Sequence, residues 1–198
     1  MTVSNYSQQP KQKKLVHKKY NLPDQYILNV GTIETRKNLL TLIKALKKVN
    51  EAYKLVVIGK KTDYYKLVEK EIQEQDLIDR VLFLQDVPFT DLPVIYQMAS
   101  VFAYPSIYEG FGIPIIEALY TNVPVVAATG SCLEEAGGPN SIYVHPTDHI
   151  AMANAINKIL ANPDLQAEMK EKGIAYVQKF NNEHISNQMM QLYIKTFK

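Results

Sequence analysis

The chain has 198 residues, 46% of them hydrophobic and 21% charged, with 8 Gly and 10 Pro. That is enough length to bury roughly two thirds of the unfolded surface, and the balance excludes collagen-like, low-complexity and wholly disordered classes. Lys and Arg exceed Asp and Glu by two charges, 22 against 20, so neither nucleic acid nor an anionic membrane is expected as the main partner. Any anion site must be local. The one cysteine, Cys132, has no internal disulfide partner, and no run reaches the roughly 18 apolar residues of a membrane span. Met1 to Asn21 is polar where a secretory leader would be apolar, so a cytoplasmic setting is expected.

In chain order, residues 1–21 form a Gln/Pro/Lys-rich stretch that reads as a flexible arm or linker remnant, and 22–198 as one domain. From Tyr26 onward, apolar runs at 26–30, 54–59, 81–84, 101–104, 123–128 and 141–144 predict six strands buried on both faces. Helical periods lie between them: Asn38–Val49, Tyr64–Gln75, Asp91–Ala99, Ile113–Tyr120 and a short piece at Leu133–Ala136. Three more follow, Ile150–Ala161, Leu165–Phe180 and His184–Phe197, with Asp164 and Asn182 as expected N-caps. Strand and helix in alternation predict an α/β fold with a doubly wound, parallel, six-stranded sheet of Rossmann type and C-terminal helices. Such sheets bind ligands beyond the carboxyl ends of their strands.

Two turns at those ends carry chemistry. After the first strand, Gly31-Thr32-Ile33-Glu34-Thr35-Arg36-Lys37 combines a glycine with two adjacent cations, fitting a grip on a diphosphate. Taken alone it fits equally a surface loop with Asn38 capping a helix. After the fourth strand, Glu109-Gly110-Phe111-Gly112 runs into a helix whose first turn holds Pro114, leaving backbone amides free for an anion. Glu109 and Glu117 bracket that turn. As acids they suit sugar or ribose hydroxyls better than phosphate; alternatively Glu109 serves the helix dipole and Glu117 is solvated, although the apolar helix around Glu117 argues for a partner. His17, His145, His149 and His184 lack metal-ligand spacing, and no Asp-x-Asp pair holds a divalent ion. Cys132 reads as a small residue in a tight loop, and the tyrosines as packing.

The run EGFGIPIIE (109–117), followed by ALYTNVPVVAATGSCLEEAGG (118–138), resembles the donor-binding signature of the retaining glycosyltransferases of family 4, group 1, which have the GT-B fold. YILNVGTIETRKNLLTLIKAL (26–46) and VLFLQDVPFTDLPVIYQMAS (81–100) are similar to the same family, so the resemblance spans about residues 26–180. It implies a mannosyltransferase-like, Rossmann-like half of a GT-B enzyme, binding a GDP- or UDP-linked sugar as substrate with no metal or other cofactor. Glu109 would hold the sugar and help stabilise its transition-state charge, while Lys37, with Arg36, would neutralise the leaving diphosphate. Gly31, Thr32 and the amides of Gly110, Phe111 and Gly112 would line the donor, Glu117 would take the ribose hydroxyls, and the loop at Asp86 and Val87 would lie against the base. Residues Thr129 to Glu135 would close the far side. Thr32 stands where many members carry an Arg. The resemblance also implies a missing N-terminal acceptor-binding domain, and peripheral membrane association through the full-length enzyme. A stand-alone nucleotide-sugar-binding module is the alternative.

Overall fold

The computed structural model describes residues 10–181. Its centre is an all-parallel sheet of six strands: β1 (Tyr26–Val30), β2 (Lys54–Ile58), β3 (Val81–Leu84), β4 (Val101–Tyr104), β5 (Val125–Ala128) and β6 (Ile142–Val144). They lie in the order β3-β2-β1-β4-β5-β6, so the chain winds outward from β1 in one direction and then returns to wind outward from β4 in the other. The expected fold class is the observed one. The central strands are buried on both faces, as their unbroken apolar runs require, whereas the edge strands β3 and β6 are only half-buried. An edge strand lacks one neighbour, so the expectation of full burial fails there.

Side chains alternate across the sheet and feed two cores. Leu28, Val56, Phe102 and Val125 face one of them, with α4 (Leu92–Met98), α5 (Ile113–Tyr120) and α6 (Leu133–Gly137). Ile27, Leu55, Val57 and Val126 face the other, with α2 (Leu39–Leu46), α3 (Tyr65–Glu74) and α7 (His149–Leu160). α8 (Pro163–Val177) spans both, through Val177 and Met169 respectively. Arg80 ties the end of α2 to the sheet by donating to the carbonyls of Leu46, Val49, Asn50 and Tyr53.

The expectation of a flexible arm or linker remnant over residues 1–21 is corrected for its described part, 10–21. Pro10–Tyr20 forms a helix, α1, with Val16 buried against the α4 side of the core and Leu22 buried just beyond it. Lys19 and the Tyr20 hydroxyl both bond Asp91 ahead of α4, at 2.6 and 2.7 Å. Tertiary contacts thus order a segment whose own periodicity is weak. The N-cap of α8 is Asn162, whose side chain accepts from the Leu165 amide at 3.0 Å, and not Asp164, which lies inside the first turn. The helix expected at His184–Phe197, with its Asn182 cap, lies outside the described residues.

Candidate donor-binding site

The strand order reverses between β1 and β4, and there the sheet opens. Ladder pairing between these strands covers only Ile27 with Val101 and Leu28 with Phe102. One residue on, the buried Asn29 side chain donates to the Ala103 carbonyl at 2.8 Å, satisfying it where the ladder has ended. Beyond that point the loops after β1 and β4 diverge and are stitched together by side chains. Asn38, in a left-handed conformation (φ 56°), gives its amide protons to the carbonyls of Pro105 and Pro146 at 3.0 and 2.7 Å. The Ile107 amide donates to the Arg36 carbonyl at 2.8 Å. Asn38 therefore holds loops together rather than capping α2 through its side chain.

This stitching brings together residues 72 positions apart. The Lys37 ammonium lies 2.6 Å from Glu109 Oε1, and Arg36 lies 3.0 Å from Oε2. The Glu109 and Lys37 side chains are only 9% and 13% exposed, whereas that of Arg36 is 48% exposed and also pairs with Glu34. Gly31, at φ +150°, takes a backbone conformation that L side chains rarely adopt, while a Cβ there would only touch Lys37 Cε at an ordinary 3.5 Å. The backbone conformation, not the lysine stem, calls for glycine. The Tyr104 hydroxyl accepts from Lys37 at 2.7 Å and donates to Glu109 Oε1 at 2.9 Å, and the Ser106 hydroxyl donates to the same oxygen at 2.6 Å. Burial pushes the Glu109 carboxyl up, but the bonds from Lys37, Ser106 and Tyr104 outweigh it and hold the group below its ordinary value. Burial, then Glu109, pushes the Tyr104 hydroxyl far up, so it stays a donor.

Behind Glu109 the loop turns into α5. Gly112 sits at φ 89°, and a Cβ there would meet Ala136 at 3.0 Å and Leu133 at 3.2 Å, so the turn and its closeness to α6 both require glycine. The amides of Gly110, Phe111 and Gly112 have no acceptor among the described residues. Phe111 meets Phe180 edge to face at 5.5 Å. Cys132 donates to the Glu109 carbonyl at 3.1 Å, and Thr129 bonds Glu134, so Thr129 to Glu135 backs the loop. Cys132 itself is half-buried in that turn.

Glu117 is separate from this cluster. It lines a groove of about 300 Å3 between α4 and α5, with Phe89, Leu92, Pro93, Tyr96, Ile116, Tyr120 and Thr121. Burial raises its carboxyl above the ordinary value, partly offset by a bond from the Tyr96 hydroxyl at 3.0 Å. Glu117 is half-buried and accepts from Tyr96, so it has the partner that its apolar helix calls for. Val87 packs partly buried in the loop after β3, and Asp86 there adopts a left-handed turn (φ 52°). Thr32 lies half-buried beside Gly31 and adds no charge. A larger hollow of about 650 Å3 lies around Leu22, Asp24, Lys54 and Val81 at the amino ends of the strands, away from these groups. Among the described residues no cluster of His, Cys, Asp and Glu is placed to hold a metal ion, and no helix is long and apolar enough to cross a membrane. Sequence reasoning missed Tyr104 and Ser106, whose only available signal was their place at the carboxyl end of β4, and it offered Asn38 only as a helix cap.

The family described as "Glycosyl transferases group 1" matches residues 11–176. The chain belongs to this glycosyltransferase family. Its match begins inside α1, in keeping with that helix being part of the domain. The chain is 36% identical over 141 residues to the O-antigen chain mannosyltransferase RfbU of Salmonella typhimurium, covering 71% of this chain and 40% of that protein. It is 33% identical to the O-antigen chain mannosyltransferase B of Escherichia coli, covering 90% and 48%. Among solved structures, a sucrose-phosphate synthase of Thermosynechococcus elongatus superposes with a TM-score of 0.81 at 34% identity, covering 92% of this chain and 48% of that one. The chain thus spans less than half the length of these curated relatives, and its fold is that of one GT-B half.

Proposed function

We propose that this chain is the donor-binding half of a retaining glycosyltransferase that moves a hexose, mannose being favoured, from a nucleoside diphosphate to a glycan or lipid-linked acceptor. The observation that carries the reading is the Glu109–Lys37–Arg36 cluster at the strand reversal, with Glu109 eight residues ahead of a second, half-buried carboxylate beside an apolar groove. The two mannosyltransferase relatives support the choice of sugar.

In this reading Lys37, Arg36 and the amides of Gly110 to Gly112 take the diphosphate, Glu117 takes the ribose hydroxyls, and the base lies near Val87 and Phe89. The bond that breaks is the anomeric C–O bond of the donor. Positive charge develops on the sugar and negative charge on the departing diphosphate. Glu109 meets the first, and the cations and amides meet the second. The charge of the diphosphate is answered by protein groups, so no divalent ion is required. Acceptor binding belongs to a second domain, without which the chain binds donor but transfers nothing, since positioning supplies much of the rate enhancement.

Calorimetry of the chain against GDP, UDP, ADP and their sugar conjugates tests the reading. Binding of one nucleotide sugar, tighter than its bare diphosphate, is expected; failure of all of them to bind refutes it. Sugar transfer by the chain alone would refute the need for a second domain.

A further inference from the structure

We propose that Tyr104 and Ser106 are positioning residues that anchor one oxygen of Glu109, leaving the other oxygen to receive the hydroxyls of the donor sugar. This rests on the donor-site reading above. Glu109 Oε1 receives three donors, Lys37 at 2.6 Å, Ser106 at 2.6 Å and Tyr104 at 2.9 Å. Among the described residues Oε2 has only Arg36, at 3.0 Å, whose side chain is half-exposed. The two oxygens are therefore unequal. In the unliganded chain three donors fill Oε1, and Ser106 and Tyr104 stay on it when Lys37 turns to a diphosphate, while Oε2 can exchange a solvated guanidinium for a sugar hydroxyl.

The two hydroxyls come from rigid places. Tyr104 ends β4, is 1% exposed, and its ring stacks on Phe102 at 5.6 Å. Ser106 is completely buried, and its oxygen also lies 3.1 Å from the Arg36 carbonyl and 3.3 Å from that of Tyr108. With one proton to give, it serves the carboxylate, which is the nearest and the only charged acceptor. A carboxylate beside two flexible cations would otherwise follow them. Neutral donors fixed to the sheet hold it while the cations turn to the diphosphate. Among the described residues the charged and titratable groups around Glu109 are Lys37 and Arg36 from the loop after β1 and Tyr104 from β4, with Glu34 behind Arg36 and the Cys132 thiol, ahead of α6, on the Glu109 carbonyl.

The test compares Tyr104→Phe and Ser106→Ala with the parent chain by calorimetry, using GDP with GDP-mannose and UDP with UDP-glucose, across pH. In each variant the bare diphosphate should bind within about twofold of the parent, and the nucleotide sugar at least tenfold more weakly. The pH at which nucleotide-sugar binding is lost on acidification should also rise, because Glu109 has lost a donor that favours its charged form. Melting temperatures near that of the parent exclude general damage. An unchanged ratio and acid midpoint in either folded variant overturns the proposal, as do equal losses for both ligands. Failure of both variants to fold also overturns it, by assigning the hydroxyls to the fold. A parent chain that binds no pair refutes the donor reading itself; a parent that binds with indifferent variants refutes only the anchoring.

Discussion

Replacing Glu109 by Gln should tighten binding of a bare nucleoside diphosphate while failing to tighten, or weakening, binding of the nucleotide sugar. In the unliganded chain Lys37 and Arg36 are already engaged with Glu109, at 2.6 and 3.0 Å, and a diphosphate must share those cations with a carboxylate that repels it. Coulomb's law at an effective dielectric of about 20 gives about 3 kcal/mol between unit charges about 5–6 Å apart. Arg36 is half-exposed, and the intervening cations screen the pair, so about 1–2 kcal/mol should remain, roughly a five- to thirtyfold gain in affinity. The complete donor behaves differently, because its sugar hydroxyls bond the carboxylate, and a hydrogen bond to a charged group is worth about 2 kcal/mol. Glutamine forfeits that. The preference for nucleotide sugar over diphosphate should therefore fall at least about tenfold in isothermal calorimetry. A Glu109→Gln variant that binds the diphosphate no better than the parent would show that Lys37 serves both anions at once, and that the carboxylate does not compete for it.

Lys37→Ala should weaken the nucleoside diphosphate by about 2 kcal/mol and leave the bare nucleoside nearly untouched, as separate titrations would show. EDTA should leave nucleoside diphosphate affinity nearly unchanged, and a strong magnesium requirement would refute the proposed neutralisation by Lys37, Arg36 and amides. Arg80→Ala removes four bonds to the carbonyls closing α2 and should cost about 2–3 kcal/mol, lowering the melting temperature by roughly 5–10 °C in a thermal scan. Glu117→Gln should raise the melting temperature at pH 7 but not at pH 4. Burial raises the Glu117 carboxyl in the folded chain, so ionising it above its ordinary value of 4.5 opposes folding, and below that value both states are protonated.

The central strands were legible because burial on both faces writes a strand as a nearly unbroken apolar run: Tyr26–Val30 and Val101–Tyr104 coincide with their predicted limits, and so does the half-buried edge strand Val81–Leu84. The α1 helix was not legible. Its only buried residue is Val16, and the bonds that order it run to Asp91, some 70 residues away. The same distance in sequence hid the heart of the site. The motif around Glu109 and the resemblance it carries pointed to the carboxylate, and the loop after β1 pointed to Lys37, but nothing local says that the two meet. Tyr104 read as one more apolar strand residue, although it is the last of β4 and its hydroxyl emerges where the sheet opens. Sequence reasoning kept acid away from phosphate on grounds of repulsion. The structure puts Glu109 among the phosphate-binding candidates themselves, balanced by their charge.

Two carboxylates eight residues apart consequently have opposite electrostatics, and the fold explains the difference. Glu109 precedes α5, at the seam where Lys37, Arg36, Tyr104 and Ser106 supply donors from β4 and the two stitched loops, so burial there is outweighed and the charged form is held. Glu117 lies within α5, over an apolar groove where Tyr96 is its donor, so burial prevails. A group held charged suits stabilisation of positive charge in a transition state. A group whose charge costs stability until it finds donors suits a binding contact, because ribose hydroxyls would relieve that cost only when the ligand is present. The pH dependence of folding should therefore separate them without any ligand: the contribution of Glu109 is present above its ordinary value and lost as pH falls, whereas that of Glu117 is unfavourable above it. Stability curves of Glu109→Gln and Glu117→Gln between pH 3 and pH 8 should diverge in opposite directions from the parent as pH rises. Curves that move the same way would refute the division of roles.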